Sequence, residues 1–305
     1  MTLRITDVHV HIQPWGMLKP EVRARMAKGR DDFAELERLM GDPDEVLKRM
    51  DEAGIARIGV INYVSPTLMG FTPEVNPWVA DLARHAPERL IPFGGVDPRG
   101  EHPAEQVDRL RDMGVRAIKL HPPHQEIAAN AYRDGVAGLA DVYGRAEELG
   151  LPVMVHTGTS IFPGARNVYA DPMPLDDVGV DFPELVVILA HLGRPLYAEA
   201  SFFLLRRHPR FYGDVSGIPP RGLLRYFPRL ADVADKLLWG TDWPGPMVPG
   251  MRENLEGFLA LELSEEVRRK LLQDNADRLF GPAPAGEPPP QEMQSIPGAS
   301  WLPPG

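Results

Sequence analysis

Residues 152–158 read PVMVHTG, residues 185–192 read LVVILAHL and residues 236–242 read KLLWGTD. Each is a short, almost unbroken apolar run that closes on a residue able to bind a metal or move a proton. A strand that is apolar along its whole length is one covered on both faces, as in a parallel sheet sheathed by helices. Working outward, five more runs of this kind stand at 4–12 (RITDVHVHI), 56–63 (ARIGVINY), 89–97 (RLIPFGGVD), 115–121 (VRAIKLH) and 211–216 (FYGDVS). Between them, 43–53, 104–113 and 136–149 carry apolar residues at helical spacing, with Gly54, Gly114 and Gly150 as stop signals. Eight strand–helix alternations predict an α/β fold whose parallel sheet closes into a (β/α)8 TIM barrel. An open doubly wound sheet is the structural alternative, and no GxGxxG follows the first strand to favour it.

The 305 residues suit one such barrel over 1–281. Residues 13–42 form an excursion after the first strand, with a helix expected near 20–40 that lies over the barrel mouth. Residues 282–305 (PAPAGEPPPQEMQSIPGASWLPPG) are a Pro/Gly-rich tail, read as a disordered end or, more sharply, as a strap anchored by Trp301. Formal net charge is −10, which argues against nucleic acid as a partner, and no apolar run approaches the ~18 residues of a membrane span. A small-molecule substrate and a cytoplasmic location fit a start, MTLRITDVHVHI, that has no signal-peptide pattern. There is no cysteine, so any metal must sit on His, Asp or Glu.

His9 and His11 stand two apart at the end of the first strand, where alternation turns both imidazoles to one side. Lys119, His156, His191 and Asp242 end strands four, five, six and eight, the face at which barrel enzymes assemble their catalytic groups. A divalent ion accepts neutral imidazoles plus a carboxylate and keeps one position open for water. His191 is then free to orient substrate or act as general acid and base, or to serve as a second ligand. Asp7 shares the histidines' face one layer deeper, and Asp214 has a similar standing on strand seven. His121 and His124 read as loop residues because Pro122 and Pro123 end the strand, and His85, His102 and His208 read as exposed. Trp15, Trp243 and the loop after strand five, with Arg166, are placed to surround an aromatic or unsaturated substrate. Arg166 or Arg194 would hold its carboxylate through paired hydrogen bonds.

HVH, VHTG, AHLG and GTDWP, in this order and spacing over about residues 4–281, resemble the amidohydrolase superfamily. Within it the resemblance is to the amidohydrolase-related branch that includes aminocarboxymuconate semialdehyde decarboxylase. It implies His9, His11, His156 and Asp242 as ligands of one divalent metal, with Zn2+ first and Mn2+ second, and His191 as the catalytic histidine. It also implies a homodimer, and a second option in which carboxylated Lys119 bridges two metals. Three functions follow: hydrolysis of an amide, lactone or ester by activated water; non-oxidative decarboxylation of an aromatic or muconate-like acid; and metal or ligand binding without turnover. Lys119, which resembles the pattern of hydrolytic members, tilts the reading to hydrolysis, while ligand set and fold alone do not separate the first two.

Overall fold

The computed structural model describes residues 3–245 and 248–282; the expectations for the tail from 283 onward, Trp301 included, lie outside the described residues. Eight parallel strands form one sheet in chain order: β1 Thr6–Val10, β2 Arg57–Ile61, β3 Leu90–Gly94, β4 Ala117–Leu120, β5 Val153–His156, β6 Val187–Ala190, β7 Phe211–Asp214 and β8 Leu237–Leu238. The last strand is shorter than its apolar run, because its ladder to β7 is only two residue pairs long. Its continuation nevertheless closes the barrel onto β1. Val8 N–H donates to Trp239 O at 3.0 Å, Asp242 N–H to His9 O at 2.9 Å and His11 N–H to Trp243 O at 2.7 Å.

Alternation along the strands divides the core. Ile118, Leu120, Val153, Val155, Val187 and Leu189 face the surrounding helices in one large cluster. Ala117, Met154 and Ile188, offset by one residue, pack with Phe93 and Leu238 in a second cluster inside the barrel. Phe280 plugs that inner cluster from the amino-terminal end of the strands, its ring 5.7 Å from that of Phe93. With the bottom sealed by apolar side chains, the carboxyl-terminal ends are left for polar chemistry.

The helix Pro43–Ala53 runs over the residues expected, capped by Asp42 on the backbone N–H groups of Asp44 and Glu45 and stopped by Gly54 at φ 72°. The excursion is two helices, Pro20–Ala27 and Phe33–Met40, where one was expected; Gly29 in the link between them has φ 75°. Lys19 N–H donates to Met69 O, and the Arg30 guanidinium donates to Pro244 O at 2.6 Å. These bonds tie the excursion to the loops after β2 and β8, on the rim of the mouth. Among the described residues no helix is long and apolar enough to cross a membrane.

Candidate metal centre and its surroundings

His9 Nε2 and His11 Nε2 lie 3.3 Å apart, and Asp242 Oδ1 is 3.1 Å from His11 Nε2 and 3.7 Å from His9 Nε2. Donors each 2.0–2.1 Å from a tetrahedral ion stand about 3.3–3.4 Å from one another. The three atoms therefore have the spacing of three corners around a divalent ion, and they belong to one of two groups of His and Asp donors within 4.8 Å among the described residues. The chain arranges this at some local cost. Asp242 takes a left-handed backbone, φ 67°, and a Cβ on Gly240 would meet His9 Cβ at 2.9 Å.

Asp7 serves the same corner from behind. It accepts from His9 N–H and Thr241 N–H, both at 3.0 Å, and from the Thr241 hydroxyl at 2.7 Å. A register shift between Asp7 and Val10 inserts one residue into β1, so simple alternation does not carry from Asp7 to His9. Burial pushes its carboxyl up to about 7, against those hydrogen bonds.

His9 is oriented by Asp214, whose Oδ2 is 2.5 Å from His9 Nδ1. Asp214 also accepts from Ser216 N–H at 2.7 Å and from the Ser216 hydroxyl at 2.9 Å. A cation at Nε2 favours the proton on Nδ1, the arrangement by which carboxylates orient metal-binding histidines. Burial, with Lys119 adding, holds His9 well below the usual imidazole range, so its lone pair is available. Burial would raise Asp242, but the bond from His11 and the Arg194 guanidinium beside it outweigh this and hold it below the usual carboxylate range.

His191 Nδ1 lies 3.0 Å from the Ser216 carbonyl, which can only accept; the proton sits on Nδ1 and Nε2 is the basic nitrogen. Burial and the charges of Arg194 and Lys119 keep it neutral. Its ring is 4.7 Å from those of both His9 and His156. The second donor group is His9, His191 and Asp214.

His156 stands in neither donor group; its Nε2 is 3.0 Å from Gly158 O. Its ring stacks at 3.8 Å on His121, which stacks at 3.5 Å on His124. His121 is a loop residue as expected, between β4 and the next element, whereas His124 is corrected: it lies in the helical turn Pro122–Gln125; both are buried. The Pro pair that was read as a strand stop also starts a helix, since proline suits the first helical positions. That was the signal available in the sequence. Lys119 Nζ is fully buried with no hydrogen-bond partner among the described residues, and burial lowers its pKa to about 8.

Of the two candidate arginines, Arg194 is in the site, its guanidinium 3.3 Å from Asp242 Oδ2, and Gly217 leaves the space it occupies. Arg166 is exposed and faces Glu126 at 3.7 Å. Trp15 and Trp243 are packed rather than presented. Trp15 is buried against Phe33 with centroids 5.2 Å apart, and Trp243 is buried beneath Arg49. His208 is buried and bonded to Asp176 at 2.8 Å, not exposed, because it closes the helix Ala198–Arg207 against Gly179. His85 and His102 are exposed.

A closed parallel barrel with His and Asp donors gathered at the carboxyl ends of its strands defines a class of barrel enzyme whose chemistry is built on such donors. The chain belongs to the amidohydrolase family, whose model matches residues 6–281. The comparison with curated proteins gave no match. Among solved structures it is similar to the TIM-barrel protein Bb4693 from Bordetella bronchiseptica, with 24% identity and TM-score 0.71 over 91% of this chain and 98% of that one. It is also similar to a 2,6-dihydroxybenzoate decarboxylase, with 19% identity and TM-score 0.67 over 92% and 98%. A third is the 5-carboxyvanillate decarboxylase of Sphingomonas paucimobilis, with 17% identity and TM-score 0.64 over 92% and 99%. At these identities the likeness establishes the fold.

Proposed function

We propose that the protein is a metal-dependent hydrolase that cleaves an amide, lactone or ester of a small carboxylate. The observation that carries this reading is the triangle of His9 Nε2, His11 Nε2 and Asp242 Oδ1, with sides of 3.1 to 3.7 Å. His156 is the fourth ligand in this reading. A divalent ion held there, zinc first and manganese second, supplies Lewis acidity toward a carbonyl and an acidified water. The chain's own groups do the rest. His191 takes the water proton on Nε2 and passes it to the leaving group, its ring direction set by Ser216. Arg194, beside Asp242, pairs with the substrate carboxylate in place of Arg166. Lys119, a buried cation with no hydrogen-bond partner among the described residues, adds positive charge near Asp214 and Asp242 at the mouth.

Decarboxylation is the second reading. It is favoured by the two decarboxylases of similar fold and uses the same donors, with His191 Nε2 taking a proton from water and relaying it to carbon as CO2 leaves. Metal analysis of protein purified without chelator, followed by assays on ester, lactone and amide panels and on aromatic acids with CO2 detection, separates the two. One metal per chain and hydrolysis support the first reading; CO2 release replaces it with the second. No bound metal after reconstitution removes both. Two metals would implicate Lys119.

A further inference from the structure

Tyr63, His124 and Ser160 form a hydrogen-bonded row that the reaction above does not use. Tyr63 Oη is 3.0 Å from His124 Nδ1, and His124 Nε2 is 2.8 Å from Ser160 Oγ. Tyr63 and His124 are buried, whereas Ser160 stands half-exposed on the loop after β5, four residues past His156. The row adjoins the metal centre, since His124 stacks on His121 and His121 on His156.

Proton counting gives the row a direction. The Tyr63 phenol is buried, and His124 Nδ1 is its only hydrogen-bond partner among the described residues, so its proton goes to Nδ1. Nδ1 then accepts, and the neutral ring carries its proton on Nε2, which donates to Ser160 Oγ. Ser160 Oγ also receives the Phe162 backbone N–H at 3.3 Å. Both lone pairs of the serine oxygen are thereby occupied, and among the described residues its own proton is left without an acceptor.

We infer that Ser160 is a substrate-positioning residue: Tyr63 and His124 set its hydroxyl as a fixed donor toward an anionic or carbonyl oxygen of the substrate at the rim of the mouth. For substrate contact the inference rests on the proposed reaction; for the direction of the row it does not. Two further features agree with it. Burial pushes His124 down to about 3, so the ring stays neutral and the direction does not reverse across the physiological range. Phe162 packs edge-on against His124 at 5.5 Å, holding the serine loop to the ring.

The test has two arms. In full-length protein labelled with 15N-histidine, long-range 1H–15N spectra read the His124 tautomer, assigned with His124→Asn. Nε2 protonation is expected, with loss of that preference in Tyr63→Phe. A ring protonated on Nδ1 would overturn the inference, because Ser160 would then spend its proton on His124. The second arm measures Ser160→Ala and Ser160→Thr on the ester or amide that the wild-type protein turns over. Loss of one hydrogen bond predicts a KM about two- to tenfold higher for alanine with kcat nearly unchanged, and recovery in threonine. Equal losses in both variants, or a fall in kcat at constant KM, would also overturn it. The tautomer is read on resting protein, so failure of the proposed reaction leaves that arm intact and distinguishable.

Discussion

Replacing Asp214 with asparagine tests whether this carboxylate orients His9 or binds the metal itself. The buried carboxylate faces three donors: His9 Nδ1 at 2.5 Å, Ser216 N at 2.7 Å and the Ser216 hydroxyl at 2.9 Å. Asparagine offers one carbonyl oxygen and one NH2. If its oxygen stays on Ser216 N–H, the NH2 meets His9 Nδ1 and drives that ring's proton to Nε2, the atom that faces Asp242 and His11. Restoring the metal-binding tautomer then leaves a buried donor unsatisfied, at about 1–3 kcal/mol. At about 1.4 kcal/mol per tenfold, zinc affinity falls by roughly 5- to 140-fold, in line with the ~10–100-fold typical of residues that orient metal ligands. Chelator-competition titration of wild type, Asp214→Asn and His11→Ala gives the three affinities. Binding within twofold of wild type would refute the orienting role. Complete loss in Asp214→Asn, with His11→Ala near wild type, would make Asp214 a ligand and move the site to the group of His9, His191 and Asp214.

His191→Gln should retain its metal and lose about 10²–10⁴ in turnover; a variant that keeps wild-type kcat removes His191 from proton transfer. Trp15→Ala should cost about 3–5 kcal/mol in urea unfolding, since the indole is buried and stacked on Phe33. A loss below 1 kcal/mol would return Trp15 to the substrate side of the ledger. Burial lowers Lys119 from its ordinary 10.5 to about 8, so between those pH values the unfolded chain holds a proton that the folded chain has shed. This group therefore adds stability as pH rises through that window, and denaturation curves of Lys119→Met against wild type should show that increment missing. Parallel pH profiles for the two proteins would disprove the burial argument.

Strand–helix alternation was legible because parallel strands covered on both faces must be apolar throughout. The candidate donors were legible for a related reason: a polar residue closing an apolar run stands out, and His9, His11 and Asp242 do converge. Less could be read where partners come from distant segments. Arg166 and Arg194 look alike as sequence, and only the turn after β6 brings Arg194 to Asp242. His208 has the composition of an exposed helix end, yet Asp176, 32 positions away, receives it in the interior.

What the sequence determined by itself was the barrel, its mouth and the chemical kind of its donors, because periodicity and strand-end position are local properties of the chain. The tertiary structure alone decided which donors meet, which nitrogen of His191 is basic and how His121 and His124 stack. It also decided that Asp214 on β7 orients His9 on β1. Those outcomes rest on distances between side chains far apart in sequence, set by the bulge in β1, the left-handed turn at Asp242 and closure of the sheet. No local pattern encodes a distance of that kind.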